Sequence, residues 1–561
     1  MTVWRHYVVV VAFVLACLAI AVRVAYLNVT QREFLQQQGD ARSIRSEVIP
    51  AYRGLVYDRY GEPLAVSTPV VALWTDPSQG RLDRQRLPEV ASLVGLDVAS
   101  VEAKLDANRQ REFLYLKRRV PWHSAQAVRD LQVDGLYFQA EYQRYYPAGE
   151  AAAHVVGMTG VDDDGLEGVE LAFDTQLRGA SGRKVVLKDR RGESIKDLDY
   201  VAAPRFGEDL HLSLDLRLQF LAYRELKAAV AGHGAVSGSL VMVDADSGEI
   251  LALVNQPSYN PNQRTATSGT GMRNRAVTDT YEPGSTVKPF TVLAALESGR
   301  FATDTLIDTA PGYFRVGAKL VEDPLNRGTI TLGEALAKSS QVGIAKVALG
   351  LEERAVFDVL MRAGVGGYVG TGLPGEAVAA LTDQRLDDPV TRATLAYGYG
   401  LAVSPLQLAQ AYLTLANDGV RRHLSVLHGA TQHGAERAFA AAHARQVVAM
   451  MEAVASDTGT APLARVPGYS VAGKTGTARK VGAGGYDDER HVALFAGLAP
   501  ATDPRVVMVV VINEPQGELR GGGEVAAPVF GRVIARSLRL LGVPPDTPAG
   551  SPAGSPAGSP A

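Results

Sequence analysis

Apolar residues fill Tyr7 to Val22 without a charge, and the run resumes after Arg23 as Val24-Ala25-Tyr26-Leu27. About 20 such residues span a bilayer as a helix, with Arg23 snorkelling to one face. No small-x-small cleavage site follows before Gln31-Arg32-Glu33, so the segment reads as a retained anchor rather than a cleaved signal. Beyond about residue 30, charged loops alternate with short apolar runs. They end in the alternating stretch Asp209–Asp215, which predicts a strand. Leu216 to Val230 has the spacing of an amphipathic helix. Leu240–Val243 and Ile250–Val254, joined through Asp246-Ser247-Gly248, predict a β-hairpin. Three more strands are predicted at Ser470–Gly473, Val492–Leu498 and Val506–Ile512. The last is a continuous apolar run, as expected of a strand covered on both faces. A largely helical stretch is predicted from Ser285 to Asn417, and Ala527–Leu541 closes the fold as a helix. Strands at both ends with helices between them predict an α/β fold, an antiparallel sheet flanked by helices. From Pro544 the repeating Pro-Ala-Gly-Ser cannot pack a core and predicts a disordered tail.

Length adds a domain plan. The chain has 561 residues, enough for more than one domain. The expected order is a cytoplasmic start (1–6), the anchor (7–27), an N-terminal module (28–215), a second domain (216–543) and the tail (544–561). Arg5 and the amino terminus favour the cytoplasmic start, which puts the rest outside. The net charge of −3 and the lack of a basic run argue against a nucleic-acid partner. Cys17 is the one cysteine, so neither an internal disulfide nor a cysteine metal site can form. The histidines have no ligand spacing, and no metal or cofactor is expected.

Three short stretches carry the chemistry: Ser285-Thr286-Val287-Lys288, Ser339-Ser340-Gln341 and Lys474-Thr475-Gly476-Thr477. In a helix, residues i and i+3 share a face, so the Lys288 amine can reach the Ser285 hydroxyl. Pro283-Gly284 breaks the preceding chain, and Pro289 is tolerated only in a first helical turn. Ser285 is therefore expected at a helix start, where the dipole favours a developing anion. The second stretch can add a hydroxyl for proton traffic. The third adds a cation and backbone donors for an anionic acyl substrate. Chance copies exist: Ser181-Gly182-Arg183-Lys184 also fits S-x-x-K, and Ser258-Tyr259-Asn260 fits S-x-N. Ser181 has no K-T-G partner at a comparable distance, and Ser258 precedes the nucleophile instead of following it. Order and spacing select a serine acyl-transfer enzyme.

With these motifs the chain resembles the penicillin-recognising serine transferases, and within them the class B penicillin-binding proteins of the division (septal) type. The N-terminal half carries the resemblance too. Arg53-Gly54-Leu55-Val56-Tyr57-Asp58-Arg59-Tyr60-Gly61 with Leu64-Ala65 matches one box of that family, and Arg144-Tyr145-Tyr146-Pro147-Ala148-Gly149 matches another. Gly165-Leu166-Glu167 through Glu170, and Asp189-Arg190-Arg191-Gly192, match the other two. The resemblance implies the penicillin-binding-protein transpeptidase fold over 216–543. It implies that 28–215 is an elongated, mixed α+β pedestal or dimerisation module. We take Asp58 and Arg59 there as a structural salt bridge.

The resemblance also implies the reaction. A stem peptide ending in D-Ala-D-Ala acylates Ser285, with Lys288 as base, and the acyl group passes to an amine of a neighbouring stem peptide. Lys288 must then be neutral, through burial or nearby cations such as Lys474. Ser339 would relay a proton to the leaving nitrogen. The N–H groups of Ser285 and Thr477 would form the oxyanion hole, with Thr477 on an edge strand. Lys474, Thr475 and Thr477 would hold the substrate carboxylate, with Gly476 between them. One departure stands out: the family's second motif ends in asparagine, and here the position holds Gln341. The longer stem keeps the amide but can displace its hydrogen bond by about 1 Å, which can cost about 10²-fold. Tyr397-Gly398-Tyr399-Gly400-Leu401 with Ser404-Pro405-Leu406-Gln407 reads as a turn before a helix, and the family has a similar segment near its site. Gly484–Arg490 reads as a loop, with Tyr486 and His491 structural. β-Lactams would bind covalently, and implied partners are a SEDS-type glycosyltransferase and other divisome membrane proteins at the septal inner membrane. The rival readings are a serine β-lactamase, a D,D-carboxypeptidase, and a division scaffold or β-lactam sensor.

Overall fold

The computed structural model describes residues 3–33, 44–188, 194–263, 269–381, 383, 385–430, 435–482 and 485–547. The box Asp189–Gly192, Gly484 and residues 548–561 of the tail lie outside them.

Helix α1 (Val3–Val29) runs past both ends of the apolar segment, because neither Arg5 nor Arg23 breaks a helix. Its 27 residues are long and apolar enough to cross a membrane, and none is buried.

The chain divides into two compact units. The first comprises Met1–Gly54, Ser67–Gln143 and Arg178–Glu208. Here Ile44–Ile49, Gly182–Lys188 and Ser194–Ala202 form an antiparallel sheet. A separate core of Leu73, Val90, Leu105, Leu116 and Val128 packs helices Leu87–Val94, Val98–Ala107 and Trp122–Asp130 on strand Leu114–Val120. Ser181-Gly182-Arg183-Lys184 enters a strand, so its serine and lysine do not share a helical face. Lys184 instead pairs with Asp197 at 3.0 Å.

The second unit comprises Leu55–Val66, Arg144–Leu177 and Asp209–Ala561, so it does not begin at residue 216. The reason lies in the N-terminal boxes. Val56, Leu64, Tyr146, Val155, Val169 and Leu177 are buried in its core. Asp58 and Arg59 do not pair with each other. The Asp58 carboxylate accepts from the N–H groups of Tyr60, Glu62 and Leu216, while Arg59 reaches Glu249 at 3.3 Å. Arg144 and Glu170 form a buried ion pair at 2.6 Å. From Leu55 onward the first box, and the boxes at Arg144 and Gly165, are structural fittings of the unit that carries the site.

Asp209–Asp215 buries its leucines as the alternation predicts, but Ser213 and Asp215 are buried as well, and the segment does not keep to a single ladder. Leu210–His211 pairs parallel with Val56–Tyr57, while Ser213 and Asp215 bond to Val426 and Leu251. Asp215 then caps α2 (Leu216–Gly232) by accepting from the N–H groups of Arg217 and Leu218. The central sheet is fully antiparallel, ordered β2-β1-β5-β4-β3, from β1 (Ser237–Asp244), β2 (Ile250–Gln256), β3 (Ala472–Gly482), β4 (Gly485–Ala499) and β5 (Val506–Asn513). Alternate side chains serve two cores. Val507, Val509 and Val511 face the one containing Phe290 and Tyr412. Met508, Val510 and Ile512 face the one containing Phe530 and Ile534, on the helix Ala527–Leu540. Every residue of β5 is buried, which accounts for its unbroken apolar run.

Pro544–Thr547, which composition assigns to the tail, is held in place. Asp546 accepts from Ser470 N at 2.8 Å and from the hydroxyls of Ser470 and Thr502. One acidic residue with three donors outweighs the local Pro-rich composition.

Candidate active site

The Ser285 segment folds as its residues dictate. Gly284 takes φ +52°, and Gly284–Val287 makes a 3₁₀ turn leading into α3 (Lys288–Glu297), with Pro289 in its first turn. The turn is held from several sides. Thr286 Oγ1 donates to Pro283 O at 2.7 Å, and the buried Tyr412 hydroxyl donates to Thr286 O at 2.7 Å. Tyr412 lies on the helix Pro405–Ala416, whose cap is Ser404, so the Ser404-Pro405 signal positions the nucleophile's turn. Gly398 presses on the other side, where a Cβ would lie 2.0 Å from Gly284 O.

Edge strand β3 brings the third motif against this turn. A Cβ on Gly476 would stand 2.8 Å from Pro283 O, so only glycine permits the approach. Thr477 O lies beside Gly284. In an antiparallel strand the N–H and C=O of one residue point the same way, so the Thr477 N–H faces the serine turn as well. The exposed Thr477 accepts at Oγ1 from Gly522 N at 3.0 Å, leaving its hydroxyl hydrogen to donate. Thr475 Oγ1 lies 3.0 Å from Thr460 Oγ1.

Ser339 joins the motifs. Its φ of +57° is strained for a residue with a side chain. Lys288 Nζ donates to Ser339 O at 2.6 Å and to its Oγ at 3.1 Å, and Lys474 Nζ donates to the same Oγ at 2.9 Å. Both lysines are fully buried, and Ser285 is half-buried. Burial pushes the Lys288 amine down to about 7; nearby Arg327 adds to this and nearby Asp323 opposes it. Burial, then Lys288, also drives Lys474 well below its ordinary range. One hydroxyl between two amines can donate to only one of them, so the arrangement suits one neutral and one charged lysine.

Two carboxylates carry no sequence signal of their own. Asp323 Oδ1 accepts from Gln341 N at 2.6 Å and Val342 N at 3.2 Å, while Ser340 Oγ donates to Oδ2. Ser340 caps Gln341–Leu349, so Asp323 fixes the start of the helix that follows Ser339. Gln341 is the first residue of that helix, half-buried, with its backbone bound to Asp323. Glu282 accepts at Oε1 from Gly400 N at 2.9 Å and from the Tyr486 hydroxyl at 3.0 Å. Tyr486 thus ties the β3–β4 hairpin to the serine segment, and its ring meets Tyr399 edge-on at 5.6 Å. His491 Nδ1 lies 3.3 Å from Glu489 O, within β4, so Gly485–Arg490, expected as a loop, is the start of that strand. Ser258 Oγ donates to Glu150 O and takes no part in the site.

If Lys288 must be neutral to accept the serine proton, acylation follows its titration. The rate is expected to rise about tenfold per pH unit up to about pH 7 and to level off above it. Penicillin acylation of the full-length chain checks this, and a flat profile between about pH 5 and about pH 8 would contradict it.

This geometry suits a serine acyltransferase in which amines, not a histidine, move the proton. The penicillin-binding protein transpeptidase domain matches residues 238–535, and the penicillin-binding protein dimerisation domain matches residues 48–212. The chain belongs to the class B penicillin-binding proteins. It is 42% identical over 543 residues to the probable peptidoglycan D,D-transpeptidase PbpC of Pseudomonas aeruginosa, covering 97% of this chain and 96% of that one. It is 40% identical over 548 residues to the peptidoglycan D,D-transpeptidase FtsI of Escherichia coli K12, covering 97% and 93%. Among solved structures, penicillin-binding protein 3 of Mycobacterium tuberculosis, complexed with aztreonam, aligns with a TM-score of 0.68 and 27% identity, over 90% of this chain and 99% of that one. The transpeptidase domain of Burkholderia pseudomallei penicillin-binding protein 3 aligns at 0.55 and 38% identity, over 60% and 98%.

Proposed function

We propose that this chain is a peptidoglycan D,D-transpeptidase that cross-links stem peptides during septal wall synthesis and is acylated by β-lactams. The observation that carries the reading is the meeting of Lys288 and Lys474 on the Ser339 hydroxyl, beside the Ser285 turn. Lys288 takes the Ser285 proton as Oγ attacks the penultimate carbonyl of a D-Ala-D-Ala donor. The oxyanion is met by the N–H groups of Ser285 and Thr477. The proton returns through Ser339 to the leaving D-alanine, and Lys474, Thr475 and Thr477 hold the donor's carboxylate. An amine of a second stem peptide then attacks the acyl-enzyme. Gln341 offers its amide to the donor's backbone from the first turn of its helix. Helix α1 anchors the chain in the inner membrane with the catalytic unit outside, where a SEDS-type glycosyltransferase and other divisome proteins supply nascent strands.

The test supplies the full-length chain in detergent with a D-Ala-D-Ala pentapeptide and an amine acceptor. Release of D-alanine together with a new peptide–amine amide supports the reading. D-Alanine release with hydrolysis alone, at any acceptor concentration, would make it a carboxypeptidase.

A further inference from the structure

We propose that Glu282 binds the acceptor amine, pairing with its ammonium form and taking its first proton; this rests on the transpeptidase reading above. Glu282 stands three residues before Ser285, as Lys288 stands three after it. Its Oε1 is satisfied by Gly400 N and the Tyr486 hydroxyl, but its Oε2 is buried with no hydrogen-bond partner. Among the described residues no lysine, arginine or histidine comes within ion-pair distance of it. Leaving a carboxylate oxygen buried and unpaired is costly, and such an atom calls for an occupant. Asp323, the other carboxylate beside the motifs, is satisfied on both oxygens by Ser340, Gln341 and Val342. Glu282 therefore has the spare acceptor.

Charge assigns the occupant. Lys288 and Lys474 converge on Ser339, and Lys474 with the threonine hydroxyls suits the carboxylate of the donor. Glu282 is reached from the Gly400 turn and the β3–β4 hairpin and offers the opposite charge. An alkylamine acceptor has an ordinary pKa of about 10 and arrives as an ammonium. It gives one proton to Glu282 Oε2 and becomes a nucleophile. Its nitrogen then bonds to the acyl carbon as the Ser285 ester C–O bond breaks. The second nitrogen proton passes through Lys288 to Ser285 Oγ, which restores the hydroxyl.

The experiment compares the full-length chain in detergent with its Glu282→Gln and Tyr486→Phe variants. The donor is a D-Ala-D-Ala pentapeptide, and the acceptors are Nα-acetyl-lysine amide and hydroxylamine, which is uncharged at neutral pH. Glu282→Gln is expected to lower the transfer-to-hydrolysis ratio for the lysine amine by about 10- to 100-fold. Its ratio for hydroxylamine should stay within about twofold, because that nucleophile brings no ammonium. Tyr486→Phe removes a hydrogen bond but keeps the carboxylate, so it should retain the lysine amine as acceptor. Equal losses with both nucleophiles, or the same loss in Tyr486→Phe, would make Glu282 architectural and overturn the proposal. An unchanged ratio would overturn it, and so would a selective loss of hydrolysis. A Glu282→Gln chain that penicillin no longer acylates would also assign a structural role. If penicillin leaves the unaltered chain free, it is the transpeptidase reading that fails, not the assignment of Glu282.

Discussion

Ser285→Ala is expected to leave no covalent penicillin adduct and to lower peptide turnover on the order of 10⁴-fold or more. The hydroxyl sits half-exposed on a turn held by other groups: Thr286 on Pro283, Tyr412 on Thr286, and Gly398 against Gly284. Removing one oxygen there should change stability by no more than about 0.5 kcal/mol. Thermal unfolding should therefore match the unaltered chain while acylation, followed by mass, disappears. An adduct on the alanine variant would place the nucleophile elsewhere.

Lys288→Met is expected to slow acylation by about 10²–10⁴-fold, the range for losing a positioned proton acceptor. Methionine approximates the volume of the lysine stem and suits a fully buried position. The amine's bonds to Ser339 O and Oγ are lost, so the proton route through Ser339 to the leaving group is cut at its first station. The adduct should still form on Ser285, slowly, and the rise toward about pH 7 should vanish with the group that titrates there. A variant that keeps both the rate and the pH dependence would show that another group takes the serine proton.

Much of this was legible in the chain because it is local. The chain break at Pro283-Gly284, Pro289 in the first turn of α3 and the apolar run of β5 follow from neighbouring residues alone, while the 3₁₀ turn that carries Ser285 ahead of that helix does not. The family boxes were legible as patterns but not as contacts. Asp58 and Arg59 sit side by side in sequence, yet they serve the α2 start and Glu249. The two matched family domains divide on either side of residue 216, yet the compact unit also draws in earlier segments, since apolar periodicity does not tell which core a strand such as Val56–Tyr57 joins. Within the site, the three motifs named Ser285, Ser339 and Lys474. No spacing rule could show Asp323 capping the Ser340 helix, or Glu282 keeping one oxygen unpaired. Those are long-range facts, set when hairpin, turn and helix close on one another. Gln341 stays on the first turn of its helix, as the asparagine of the motif would, and the bond from its N–H to Asp323 is indifferent to side-chain length.

Whether Ser285 is a nucleophile served by buried amines is decided by intact-mass spectrometry of the full-length chain in detergent. The chain is incubated with a penicillin, followed over hours, and digested to map the adduct. One adduct per chain is expected, on Ser285, and it should persist after free drug is removed. No adduct, an adduct on another residue, or rapid return to the unmodified mass with drug consumed would contradict it.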